Sequence, residues 1–283
     1  MGVPELQGVN VGGLNIAYRR AGTGPPLVLH GAYEDSRIWE RQLADLSDEF
    51  TVIAWDAPGC GGSDDLPPDF AGSLGRVLDG LLTELGLTGE RRPHVLGLSF
   101  GSTVALDLVG VASQAARTLI LASAYAGWAG FLPPEEVDRR YAQVLAELDR
   151  PAAEIIPVWL PTLFTQRATP EMRDLVSRVM ADFRPSGMRA LLELAGRADY
   201  RPVLPTISVP TLLLYGSEDA RSPVSVGEAL CEQIPGATLE VLPGVGHLSF
   251  IEAPDAFDGA VRRWIRAHPG ASRPDGRQRA GGR

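Results

Sequence analysis

At 283 residues, 45% hydrophobic and 22% charged, the chain can bury an extensive core without disulfide staples, as one large α/β domain or two small ones. Its two cysteines, Cys60 and Cys231, lie far apart and in no knuckle spacing, so neither a disulfide framework nor a metal site is indicated. The net charge is −9 and every one of the 26 basic residues is an arginine, which argues against a nucleic-acid partner and removes lysine Schiff-base chemistry.

The chain opens with no basic segment followed by an apolar one, and the reading is that it carries no signal peptide. The longest uncharged stretch, 118–134, is interrupted by Ser, Gly and Pro and is short for a membrane span. A soluble, cytoplasmic protein with no membrane partner is expected. The segment 269–283 (PGASRPDGRQRAGGR) sets four arginines against one aspartate and is expected to be a solvated, disordered tail.

Short β-rich apolar runs alternate with helical patterns along most of the chain, the signature of a mostly parallel sheet with helices on both faces. Strands are expected at 14–20 (LNIAYRR), 27–30 (LVLH) and 51–55 (TVIAW), with a helix over 36–46 whose stripe is Ile38, Trp39, Gln42, Leu43 and Leu46. The Gly-rich loop DAPGCGGSD follows, then a helix over 70–85. The run 94–98 has the continuous apolar character of a buried parallel strand. A helix over 100–113 and a strand over 118–122 (TLILA) come next.

From 126 to 198 the alternation stops. Helical spacing spans 134–149, and Thr169-Pro170 opens a second helix with a cap and an N1 proline. Between them the apolar run IIPVWLPTLF is broken by Pro157 and Pro161. This segment is read as a helical insertion. Strands then resume at 209–215 and 238–242, and a final helix runs over 255–267.

The candidate chemistry begins at LGLSFGS, residues 96–102. Ser99 sits where a buried strand passes into a helix, and the flanking Gly97 and Gly101 are the small residues that a sharp strand-to-helix turn requires. A serine hydroxyl needs a base, and the base needs an orienting acid. Of four histidines, His247 lies in a Gly-rich loop just after a strand, at the end of the sheet where reactive groups collect. His30 ends an earlier strand and is read as a structural anchor of its loop. Asp219, in LLLYGSEDAR, follows a strand by a few residues with Glu218 beside it as a competitor. The order Ser99, Asp219, His247 is the one expected of this architecture. In VLHGAY the strand ends in His-Gly, so that the main-chain amides of Ala32 and Phe100 are candidate oxyanion donors.

These stretches resemble the α/β-hydrolase superfamily in its single-chain, lid-bearing form. LVLHGAYEDSRIW matches the oxyanion loop, DAPGCGGSD the turn behind it, GLSFG the nucleophile elbow, VPTLLLYGSED the acid loop and GVGHLSFIEAPDAF the histidine loop, together covering about residues 14–267. The resemblance implies an α/β-hydrolase core over 1–125 and 199–268, a helical lid over 126–198 and a tail over 269–283. It makes Ser99 the nucleophile, His247 the base and Asp219 the acid, with Asp56 and Glu252 as structural ties. Relatives that open epoxides or displace halide carry aspartate where Ser99 stands, so those reactions are set aside. Ser102 replaces the glycine many relatives have there, a departure that touches helix packing.

The expected reaction is acyl transfer to water on a small apolar carboxylic ester or lactone, with no cofactor and no metal. Tyr33, Trp128, Trp159 and Phe164 are candidate substrate-binding residues, although each could instead pack the insertion onto the core. Alternatives on the same three residues are C–C bond hydrolysis, cofactor-free haloperoxidase or peptidase activity, and biosynthetic cyclisation or acyl transfer. A non-catalytic ligand-binding module is the remaining alternative. The oligomeric state is left open.

Overall fold

In a computed structural model of the chain, residues 3–31 and 35–269 are described. Strands β1 (Leu6–Val11), β2 (Leu14–Ala21), β3 (Pro26–His30), β4 (Thr51–Trp55), β5 (His94–Leu98), β6 (Thr118–Ala122), β7 (Thr211–Gly216) and β8 (Thr238–Leu242) form one sheet in the order β1-β2-β4-β3-β5-β6-β7-β8. The first two strands are antiparallel to their neighbours and every other pairing is parallel.

The two faces of this sheet are separate cores, because successive side chains of a strand point to opposite sides. Val28, Ile53, Val95, Leu119 and Leu213 pack with helices α2 (Leu74–Glu84) and α3 (Phe100–Val111). Their neighbours Leu29, Val52, Leu96, Ile120 and Leu212 pack on the other face with α1 (Glu40–Asp45) and the long C-terminal helix Pro254–Ala267. The central strands are buried on both faces, as their unbroken apolar runs foretell.

Between β6 and β7 the chain leaves the sheet in four helices, α4 (Pro134–Leu148), α5 (Ala152–Trp159), α6 (Pro170–Ala181) and α7 (Pro185–Ala195). Helix α8 (Val224–Gln233) links the last two strands; α9 (Ser249–Glu252) and α10 (Pro254–Ala267) follow. The insertion has a small core of its own, in which Trp128, Val137, Tyr141, Leu148, Met188 and Leu192 meet. Its base is closed where Tyr200 donates its amide to the Ala126 carbonyl at 2.8 Å. At the far end the turn between α6 and α7 grips the loop after β4: Arg184 donates to Asp65 and to the carbonyls of Gly61 and Ser63. There Gly59 and Gly187 touch backbone to backbone, since a Cβ on Gly59 would lie 2.3 Å from the Gly187 Cα.

Several elements depart from the sequence reading. β1 was not anticipated; its strand alternates weakly and is largely exposed, so no apolar period marks it. The expected helix over 36–46 is broken into a turn at Ser36–Trp39, α1, and a turn at Leu46–Asp48, the first capped by the Asp35 carboxylate accepting the Arg37 amide. The helix expected from 70 begins at Leu74, because Ser73 accepts the Arg76 amide and fixes the start there. The run broken by prolines nevertheless contains α5, with Pro157 inside it. Helices α7 and α8 were not read at all, although Pro185 at the first position of α7 is an ordinary start signal. No described helix is long and apolar enough to cross a membrane.

Candidate active site

Ser99 occupies the turn between β5 and α3 with φ +52° and ψ −117°, a backbone conformation that costs a non-glycine residue about 1–3 kcal/mol. The fold holds it there with main-chain bonds: Ser99 donates its amide to the Ala122 carbonyl at 2.9 Å, and its own carbonyl accepts the Ser102 amide at 2.9 Å and the Ser102 hydroxyl at 2.5 Å. The glycines on either side are required by space. A Cβ at position 97 would lie 2.3 Å from the Gly101 carbonyl oxygen, and one at 101 would lie 2.3 Å from that of His30.

Asp219 and His247 arrive on neighbouring loops that are hydrogen-bonded to each other. Ser217 donates its amide to the Leu242 carbonyl at 2.9 Å, and Glu218 donates its amide to the Val245 carbonyl at 3.0 Å. The close approach needs Gly216, where a Cβ would lie 2.2 Å from the Val245 oxygen. The result is a buried chain of contacts: His247 Nε2 stands 2.8 Å from Ser99 Oγ, and His247 Nδ1 stands 3.0 and 2.9 Å from the two Asp219 oxygens. Glu218, the sequence competitor, is exposed.

The electrostatics define the tautomer. Burial works against the Asp219 charge, but the hydrogen bond and charge of His247, the Ser222 amide and the Ser123 hydroxyl outweigh it and hold the carboxyl below the ordinary range. The Arg221 and Ser222 amides each donate to Asp219 Oδ1 at 2.9 Å. An ionised carboxylate only accepts, so Nδ1 carries the imidazole proton and Nε2 is left to accept the Ser99 hydroxyl.

Ser123 is a site residue that the sequence reading passed over. It follows β6 directly, has φ +47°, and donates its hydroxyl to the His247 main-chain carbonyl at 3.1 Å. A serine immediately after a buried parallel strand was the available signal, since the ends of the other central strands carry Ser99 and Asp219.

The other sequence candidates fall into three groups. Phe100 stands at the first position of α3 beside Ser99, where the helix dipole favours negative charge. Ala32 and Tyr33 lie outside the described residues. Trp128 and Trp159 line a cavity of about 460 Å³ that also takes in Ser99 and His247. Phe164 does not line it; its ring is buried among the sheet-side apolar residues under the Arg173 guanidinium, 5.6 Å away. His30 is buried with neither ring nitrogen hydrogen-bonded among the described residues and packs on Trp55 at 4.8 Å between ring centres. Burial pulls its pKa down to about 3, so the ring is neutral packing. Cavity residues not anticipated include Tyr125, Met180 and Arg221.

Residues 27–260 match the alpha/beta hydrolase family, and the chain belongs to it. A pimeloyl-[acyl-carrier protein] methyl ester esterase from Pectobacterium carotovorum is 31% identical over 255 residues, covering 87% of this chain and 96% of that protein. The 3-oxoadipate enol-lactonase 2 of Acinetobacter baylyi is 29% identical over 227 residues, covering 79% of this chain and 82% of that one. Among solved structures, a thermophilic esterase from Thermogutta terrifontis is similar with a TM-score of 0.82 at 31% identity, over 93% of this chain and 100% of that chain.

Proposed function

We propose that this protein hydrolyses a carboxylic ester or lactone through an acyl-enzyme formed on Ser99. The observation that carries the reading is the unbroken line from the Ser99 hydroxyl at 2.8 Å through the His247 ring to the Asp219 carboxylate at 2.9 Å. Ser99 Oγ attacks the substrate carbonyl while His247 Nε2 takes its proton. As the C–O bond breaks, His247 returns that proton to the departing alkoxide. Water then enters, gives a proton to Nε2 and adds to the acyl carbon, and the collapse of this adduct frees the carboxylic acid and restores Ser99. Asp219 holds the imidazole in the tautomer this cycle needs and stabilises the imidazolium midway.

The Phe100 amide is the proposed donor to the oxyanion, with Ala32 the second donor by family resemblance; one such donor contributes about 3 kcal/mol. Residues 126–198 act as a lid over the cavity. Two relatives named for methyl-ester and enol-lactone hydrolysis support the choice of ester or lactone over the other reactions this arrangement could run. Ser99→Ala tests the reading. It is expected to abolish hydrolysis of an activated ester and labelling by a fluorophosphonate; labelling that persists at another residue refutes it.

A further inference from the structure

The cavity over Ser99 and His247 is walled mainly by rings and aliphatic side chains, yet two of its lining groups carry positive charge with no carboxylate among the described residues at ion-pair distance. Arg140 comes from α4 and Arg221 from the loop after β7. The Arg140 guanidinium lies 5.5 Å from the centre of the Trp128 ring. Arg221 donates Nη1 to the Thr162 hydroxyl at 2.7 Å. Among the described residues neither is within ion-pair distance of an acid, whereas the third arginine on the cavity, Arg139, is paired with Glu136 at 2.6 Å. The one carboxylate that the described residues bring to the cavity wall, Glu147, is engaged by the Trp159 indole N–H at 2.7 Å and the Gln143 amide at 2.9 Å.

The shared place of Arg140 and Arg221 on the wall of one cavity singles these two out in the chain. Its arginines elsewhere commonly bind carboxylates, as Arg37 does with Asp35, Arg184 with Asp65 and Arg262 with Glu49. Partial burial and the neighbouring Arg221 act against the charge of Arg140, outweigh the opposing charge of Glu136, and pull its pKa down from the ordinary value. Two like charges facing one space are costly where the nearest acid, Glu136, is already engaged by Arg139, and an anion placed between them lowers that cost. The planar guanidinium fork matches a carboxylate in two-point contact. The Trp128 and Trp159 rings on the same wall offer apolar contact to a carbon chain.

We propose that Arg140 and Arg221 form an anion subsite of this cavity, and that the substrate hydrolysed at Ser99 carries a second, free carboxylate. The inference rests on the hydrolase reading above and replaces the expectation of an apolar substrate with that of an ester or lactone ending in an acid group.

The test compares kcat/KM for methyl half-esters of linear dicarboxylic acids with the dimethyl esters of the same acids, across a chain-length series. The intact protein is expected to prefer the half-ester by about tenfold or more at its best length, the preference shrinking as salt is raised. Arg140→Gln and Arg221→Gln are each expected to lower that preference by about tenfold, mainly through KM. Arg140→Glu is expected to reverse it. Because the readout is a ratio measured on one preparation, a partly unfolded variant does not distort it. Equal or better hydrolysis of the diester at every length overturns the subsite, as does a ratio that neither glutamine variant moves. Fluorophosphonate labelling of Ser99 in the same preparations separates the two readings. Labelling without half-ester preference overturns the anion subsite alone, and no labelling overturns both.

Discussion

The carboxylate of Glu252 accepts both the amide and the hydroxyl of Thr165, each at 2.7 Å, and with its other oxygen accepts the Gly246 amide at 2.5 Å. Thr165 belongs to the insertion, in the link between α5 and α6, and Gly246 precedes His247. A single charged side chain therefore ties the cavity's roof to the loop that carries the imidazole. Leu248 reinforces the tie by donating its amide to the Leu163 carbonyl at 3.2 Å. Removing the carboxylate leaves three donors unmet, so Glu252→Ala should cost about 2–3 kcal/mol in chemical denaturation and lower kcat more than it raises KM. Thr165→Val removes one of the three bonds and should cost about 1 kcal/mol. Denaturation midpoints unchanged in both variants would show that the tie contributes nothing.

Gly101 faces a harder constraint than its place in a helix suggests. A methyl group there would meet the carbonyls of His30 at 2.3 Å and Gly31 at 2.7 Å, backbone atoms at the end of β3 that cannot rotate away. Gly101→Ala must push α3 off the strand, moving both Ser99 and the Phe100 amide. The expected outcome is a destabilisation of about 2–3 kcal/mol together with loss of ester turnover. Full activity with an unshifted melting temperature would mean the helix moves freely and the close contact is not required.

The positions of Ser99, Asp219 and His247 were legible because each follows a strand of the parallel part of the sheet, and the ends of parallel strands gather in space whatever separates them in sequence. The elbow was legible because Gly97 answers a steric demand from Gly101, four residues on, whereas the demand on Gly101 comes from the His30 and Gly31 carbonyls at the end of β3 and shows in the sequence only as part of the motif. The cavity wall was not. Phe164 and Trp159 lie in the same apolar run and both pack against the sheet-side core, but only Trp159 also reaches the cavity, a difference set by tertiary docking rather than by local pattern. The meeting of Arg140 with Arg221 joins α4 to a loop some eighty residues later, and no local pattern encodes it. Missing α7 and α8 has a simpler cause: start and stop signals were present, yet their apolar stripes are short.

Asp219→Asn probes the tautomer directly. The amide retains an oxygen that can accept from the Arg221 and Ser222 amides, which preserves the loop. It cannot offer His247 Nδ1 an ionised acceptor, and it lets the imidazole proton shift to Nε2, where it blocks the Ser99 hydroxyl. By analogy with the same exchange in serine proteases, kcat should fall by about 10⁴ with a far smaller change in KM. Because the folded carboxyl titrates below its ordinary value, its contribution to stability is full above the unfolded pKa and is lost as pH falls through the folded one. The variant should therefore differ most from the parent in stability at neutral pH and least in strong acid, measured by denaturation across that range. A variant that keeps most of its turnover would remove Asp219 from the reaction.

Asp258, remote from Ser99 in the C-terminal helix, titrates in the opposite direction. It lies in α10, where Gln42 donates Nε2 to its Oδ1 at 3.1 Å, while its Oδ2 and the Gln42 Oε1 are both buried without a partner among the described residues. Burial, aided by the nearby negative charge of Asp45, raises its pKa from 3.8 to about 7 despite the opposing Gln42, Arg262 and Arg41. Between those two values the folded protein holds a proton that the unfolded chain has released, so stability falls as pH rises through the window and the loss is complete above it. Asp258→Asn removes the titration and places an N–H donor where Gln42 Oε1 has none. The variant should gain up to about 4 kcal/mol over the parent near pH 8 and nearly nothing near pH 4. Urea denaturation at both pH values decides the matter: a gain of equal size at the two would mean that Asp258 does not titrate in this range and that the added hydrogen bond alone accounts for the difference.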